Sequence, residues 1–320
     1  MTMRFPRPSS WGFPGRFFSG TSSNARNKQD VQAAPEFLFE QGPSELTYAD
    51  RTPGQPLKPG FRLGFSGQAP YRRSRREELA ISRAEIPSLT IAANPSQGVE
   101  ISGQGREDWS LRFCAYGDGN SEGEARDRLR EVSLVHLGAT VSLNGPGVRR
   151  VPGAGGNLSV DAPADAPITV HASFAPVAVR NMTGPVRVTA IHARAKILNT
   201  TGRVDATAFV VDFAGSEGTV ILSAEAEVNL KLTSRKFRGT LIAWAQLPVR
   251  VLVPRGFQTP FQAIVSRPQD FVCRTEFAAN MKLERNGGLY VYTYAGDGST
   301  PREDVHLRSE HAAVVVDTGQ

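Results

Sequence analysis

The sequence predicts an all-β fold: a single-stranded parallel β-solenoid carrying one short capping helix. Three observations lead there. A strand–turn–glycine–strand unit recurs along the middle of the chain, apolar and polar residues alternate inside each unit, and one segment alone has a clear helical period.

The repeat shows first in the glycines. Residues 177–188 read VAVRNMTGPVRV and residues 195–206 read AKILNTTGRVDA. Gly184 and Gly202 are followed by Gly218 and Gly239, at spacings of 18, 16 and 21. Two positions after each glycine stand Val186, Val204, Val220 and Leu241. Four after stand Val188, Ala206, Leu222 and Ala243, and six after stand Ala190, Ala208, Ala224 and Ala245. Seven before stand Val177, Ala195, Val211 and Leu232; five before stand Val179, Ile197, Phe213 and Ser234. Nineteen of these twenty residues are apolar, and the positions between them are mostly polar. Period-2 alternation marks strands with one buried face. The glycine suits a turn residue at positive φ. A unit this short cannot cover its own apolar face, so consecutive units stack, with equal offsets one above another about 4.8 Å apart. The charges agree with that register, because Arg187 shares an outward offset with Asp205, and Lys196 with Asp212.

Residues 1–80 read as a disordered, basic, Pro/Gly-rich arm. They hold 12 Lys/Arg and 7 Asp/Glu, a net of +5, against +1 for residues 81–320, and have no sustained period. Within the arm, Tyr71, Arg72, Arg73, Arg75 and Arg76 form a solvated charge run or a contact for an acidic surface. The solenoid domain spans residues 81–320. LTIAANPSQGVEISGQ and DWSLRFCAY read as its first strands. Residues 122–133 place Ala125, Leu129 and Val132 on one helical face, which makes the capping helix. VHLGATVSL and NLSVDAP resume strands, LPVRVLVPRGF, FQAIVS and DFVCRTEF continue the coils, and DVHLRSEHAAVVVDT closes them as a strand pair.

Nearly all of the +6 net charge of the 320 residues resides in the arm, which argues against a nucleic-acid-binding domain. No apolar run of about 18 residues exists, so no helix spans a membrane. No secretion signal or anchor is visible, so the sequence itself points to the cytoplasm. Cys114 and Cys273 belong to no metal-ligand spacing and are either two thiols or one long-range disulfide. The five histidines are scattered. GDGNSEGE opens like a calcium loop at Asp118, Asn120, Glu122 and Gly123, but Leu129 stands where the twelfth-position Glu is required. Asn157, Asn181 and Asn199 match the glycosylation sequon and read as turn residues. No GxSxG, Walker A or HExxH motif occurs, so no catalytic, metal or cofactor site is expected. A glycan-cleaving enzyme would need free acids on one face, and Asp205 and Asp212 are matched with cations, leaving Glu225 and Glu227.

On these residues the chain is similar to the bacterial putative-adhesin domains of unknown function related to the head-GIN domains. The likeness spans roughly residues 86–320 and lies in VRNMTGPVRV, ILNTTGRVDA and GSEGTVILS, in LPVRVLVPRGF, and in the tail YAGDGSTPREDVHLRSEHAAVVVD. It implies a right-handed β-helix, a role in adhesion or at the cell envelope, and no catalytic residues. The outward offset three after each glycine carries Arg187 and Asp205, then Ile221 and Ile242. Beside them Trp244 stands where earlier coils have Thr189, Thr207 and Ser223. That face therefore turns apolar and is the expected surface for a protein or glycan partner, or for self-association. The expected function is structural or interaction-based; a carbohydrate-binding or carbohydrate-cleaving β-helix, and an intracellular scaffold or sensor accessory, are the alternatives.

Overall fold

Alternating hydrophobic segments become strands throughout the computed structural model, which describes residues 71–93, 98–145, 153–296 and 304–319. In chain order these are β1 (Tyr71–Ile81), β2 (Leu89–Ala93), β3 (Gly98–Gln104), β4 (Trp109–Gly119), helix α1 (Glu122–Arg130), β5 (Ser133–Leu137), β6 (Thr140–Asn144) and β7 (Ala154–Pro163). Then come β8 (Ile168–Ser173), β9 (Val177–Arg180), β10 (Val186–Leu198), β11 (Arg203–Gly215) and β12 (Glu217–Leu232). The last are β13 (Arg238–Ala245), β14 (Val249–Val253), β15 (Phe261–Val265), β16 (Phe271–Arg274), β17 (Lys282–Asn286), β18 (Leu289–Tyr294), β19 (Asp304–Ser309) and β20 (Val314–Thr318).

The strands form two ladders joined through β10, β11 and β12, each of which bends and runs through both. The first ladder runs β5-β6-β2-β8-β10-β11-β12-β13-β19-β15-β18-β17. The second runs β1-β4-β7-β3-β9-β10-β11-β12-β14-β20-β16. Both are parallel in the centre and antiparallel at flanking pairs: β5–β6, β15–β18 and β17–β18 in one, β1–β4 and β4–β7 in the other. The fold is thus all-β with mixed strand directions, and the wholly parallel arrangement expected from the repeat holds for the middle only.

The central register agrees with the alignment on the glycines. Val186, Val204, Val220 and Leu241 are successive partners, as are Ala190, Ala208, Ala224 and Ala245. The offsets before the glycine agree through Val211 and Phe213 and then depart. Val228 and Leu230, not Leu232 and Ser234, continue those rows. The cause is the loop over residues 233–237, which lengthens that repeat and pushes its glycine four positions beyond the coil it would otherwise close. Inward residues of both ladders are buried and form one core whose largest side chains include Trp109, Phe113, Phe213 and Phe237. Truncating such a ring to alanine costs about 3–5 kcal/mol. Trp109 satisfies its indole N–H on the Ile86 carbonyl at 2.9 Å.

Close approach, more than turn geometry, requires the repeated glycines. Gly218 and Gly239 have φ of 125° and 116°, but Gly184 and Gly202 are not left-handed. A Cβ on Gly202 would lie 2.4 Å from the Gly184 carbonyl oxygen, and one on Gly239 would lie 2.3 Å from that of Gly218. The four form a column in which each coil rests on the backbone of the one before.

Coil order in space differs from order in sequence at both ends. The β6–β7 coil pairs outside β2–β3, although it follows them in the chain. The pair β19–β20, expected to close the stack, lies between β13–β14 and β15–β16.

Two expectations about the first 133 residues change. Residues 71–80, assigned to the disordered arm, are part of β1, which pairs along its length with β4. Leu79 and Ile81 reach the core, and the strand's arginines meet carboxylates. Residues 1–70, the rest of the predicted arm, lie outside the described residues. Helix α1 ends at Arg130, three residues before its expected end. Ser121 caps it through Oγ, which accepts the Glu124 N–H at 3.2 Å. The helix lies on the β1–β4 edge of the second ladder so closely that a Cβ on Gly117 or Gly119 would strike its backbone at 2.4–2.5 Å. That contact accounts for the first two glycines of GDGNSEGE, and Gly123, within the helix, has room around it.

Candidate interaction surface

Three regions of the surface bear on function: the outer side of the first ladder, the corner where the chain turns from the first ladder into the second, and the outer side of the second ladder. On the first ladder, β-sheet alternation turns Ile221, Ile242 and Trp244 outward. Ile221 pairs with Ile242, which pairs in turn with His306, and Trp244 lies between Ser223 and Arg308. All three predicted face residues are half-buried. His306 is fixed by Gln262 at 3.1 Å on Nδ1 and by Asp304 at 2.6 Å on Nε2.

The corner carries residues that the repeat alignment does not single out. Ile191 and Phe209 directly follow the last inward residues Ala190 and Ala208, Phe174 stands two positions after Ala172, and the three are 46%, 45% and 53% exposed. Phe174 and His192 occupy equivalent places in β8–β9 and β10, at φ of 60° and 54°. Their rings lie 4.9 Å apart, and the Phe174 N–H donates to the Ile191 carbonyl at 2.8 Å. A bulky L-residue in this region is disfavoured by about 1–2 kcal/mol. Beside the ridge is a groove of about 330 Å³ whose polar lining is Ser142, Asn144, His171, Ser173 and Thr189, with Ile191 at its rim. The sequence signal was an apolar residue directly after the alanine row (Ala190-Ile191, Ala208-Phe209), out of step with the alternation.

The second ladder is finished differently. Asp212 is buried and accepts from Arg194 at 2.6 Å and Asn229 at 2.9 Å. Arg180 meets Glu100 at 2.9 Å, Arg250 meets Glu227 at 3.4 Å and Arg274 meets Asp317 at 3.4 Å. On the first ladder Arg187 meets Asp205 at 3.6 Å, and at the corner His192 lies 3.9 Å from Glu225. The four acids weighed for catalysis therefore each face a cationic or basic side chain. Lys196 is in register with Asp212, as expected, and Arg194 also reaches that carboxylate, at 2.6 Å.

The basic cluster is likewise met from within the chain. Arg72 pairs bidentately with Asp118, at 2.5 and 2.7 Å, and lies over the Tyr116 ring. Arg73 pairs with Glu122, Arg75 with Glu77 at 2.7 Å, and Arg76 with Glu78 at 2.7 Å. Tyr71 is exposed at the start of β1. Asn181 and Asn199 adopt φ of 58° and 50°, the turn geometry expected of them, while Asn157 lies within β7.

Cys114 and Cys273 are free. Nine strand-to-strand steps of the second ladder separate β4 from β16. At roughly 4.8 Å per step that is about 40 Å, far beyond disulfide reach. Burial raises the Cys273 thiol above its ordinary pKa. No helix among the described residues is long and apolar enough to cross a membrane.

No protein-family profile matches the chain, and no curated protein does. Among solved structures it is similar to a putative cell adhesion protein from Clostridium sporogenes, with 10% identity, a TM-score of 0.30, and coverage of 77% of this chain and 99% of that one. It is also similar to putative adhesins from Bacteroides fragilis and Parabacteroides merdae, each with 7% identity and a TM-score of 0.29. These cover 77% and 78% of this chain and 97% of each of theirs. At such distance the surface is read from its own geometry.

Proposed function

We propose that the protein is a non-catalytic interaction protein whose parallel centre is a right-handed β-helix displaying the Phe174–Ile191–Phe209 ridge and the adjoining outer face to a partner. One observation carries the reading: Phe174 is held at positive φ while its ring is half in water. Backbone strain and an exposed aromatic both lower stability, and binding is the role that gives the pair a use. The uncharged polar groove beside the ridge favours a glycan among non-protein partners. The likeness of the coil units to bacterial adhesin domains supports a setting for the ridge at the cell envelope. The basic cluster of β1, already engaged with acids of the chain, is a lesser candidate for an acidic partner.

The test is to fractionate native host cells for the chain, then measure binding of tagged full-length protein to envelope fractions against Phe174→Asn and Phe209→Ser. Binding that falls at least tenfold in both folded variants is the expected result. Equal binding by all three proteins overturns the assignment of the ridge.

A further inference from the structure

The outermost strands of the two ladders are not finished alike. β1 carries Arg72, Arg73, Arg75, Arg76, Glu77 and Glu78, and β17 carries Lys282, Glu284 and Arg285. β16 is four residues long, and its Phe271 is stacked under Tyr292 at 4.2 Å. β5 reads SLVHL, with no Lys, Arg, Asp, Glu or Pro. It pairs with β6 along one edge, and among the described residues no strand pairs with the other. Val135 and Leu137 are 44% and 80% exposed. An open edge offers a row of unsatisfied N–H and C=O groups, and natural proteins protect such edges with charge, proline or a cover. β5 has neither charge nor proline.

We infer that β5 pairs antiparallel with β5 of a second copy of this chain, about a twofold axis at Val135. The sequence of the strand complements itself under that operation. Val135 meets the partner's Val135, Leu134 meets the partner's His136, and Ser133 meets the partner's Leu137. No like charges are opposed, which matters for two molecules that each carry a net +6. The same operation at β17 sets Glu284 against the partner's Glu284, and at β1 it sets Arg76 against the partner's Arg76. Leu134 already packs on the core opposite Leu143, so pairing extends an existing inward row across the axis. The contact is isologous and closes at two copies. It uses neither the corner ridge nor the outward face at Trp244, so it stands apart from the function proposed above.

Sedimentation of the full chain over a concentration series tests it. The expected result is a rise from 34.6 kDa toward twice that mass, abolished by Val135→Lys, which opposes two lysines at the axis. Register is tested by oxidative cross-linking: Val135→Cys gives covalent dimer, while Leu137→Cys, opposite Ser133, gives at least tenfold less, each against the wild-type thiols. Both sites are exposed, so the variants fold. A constant 34.6 kDa mass, a dimer indifferent to Val135→Lys, or equal cross-linking from both cysteines overturns the proposal. Binding of an unrelated extended strand at β5 by a monomeric chain overturns it as well.

Discussion

Phe174 lies over His192 with ring centroids 4.9 Å apart, and both residues are in the left-handed backbone region. Neither ring is buried in the core. Phe174→Asn keeps the backbone hydrogen bond to Ile191 and suits the left-handed conformation. It should raise stability by about 1 kcal/mol while weakening partner binding. Urea unfolding of the variant measures the first effect. A loss of stability would mean that the ring packs usefully where it is.

The glycine column makes a sharper prediction. Gly202→Ala places a methyl 2.4 Å from the carbonyl oxygens of Thr183 and Gly184, both backbone atoms that cannot turn aside. Overpacking of this kind costs about 1–3 kcal/mol. Gly123, in the first turn of α1, has its nearest neighbour 3.9 Å from an added Cβ, so Gly123→Ala should gain about 0.5–1 kcal/mol. Thermal melts of the two variants should move in opposite directions.

Two aspartates on the outer surfaces should differ in the same way. Asp212 is buried under two donors, and its loss should cost about 1.5–3 kcal/mol. Asp205 faces an exposed Arg187 at 3.6 Å, and Asp205→Ala should cost at most about 1 kcal/mol. Chemical denaturation of Asp212→Ala and Asp205→Ala tests the ranking, and added salt should reduce only the smaller effect.

Cys273 supplies a pH dependence. Burial, partly countered by the Thr275 hydroxyl 3.1 Å from its sulfur, raises the thiol pKa in the folded state. The folded thiol keeps its proton where the unfolded one has lost it. Its contribution to stability is therefore complete below the ordinary thiol pKa and is lost as pH rises through the raised one. Alkylation at mildly alkaline pH should be slower in the native chain than in urea at the same pH. Equal rates would show the sulfur to be as accessible and as acidic as in the unfolded chain.

The middle of the fold was legible because stacking leaves a written trace. Val186, Val204, Val220 and Leu241 share an offset from a glycine, and each inward row fills one layer of core. The trace failed at Leu232 and Ser234, where a local insertion moved the counting origin without moving the strand. It was silent on coil order, since β15 and β19 present similar alternating faces and β13 could accept either by pattern alone. The partner is chosen by which edge the chain can reach and how well the coils pack. Arg72 and Arg73 of β1 read as solvated because their carboxylates are 46 and 49 residues distant at Asp118 and Glu122. At the corner the composition was visible, but the backbone strain of Phe174 is a property of the folded chain only.

The placement of β19–β20 also sets the tempo of assembly. During synthesis β15–β16 emerges well before the strands that join it to β13–β14, and must wait with an open edge until residues 304–318 are made. Contacts that close over such separations form slowly. A ribosome pausing between the two would leave an intermediate with exposed strand edges and a call on chaperones.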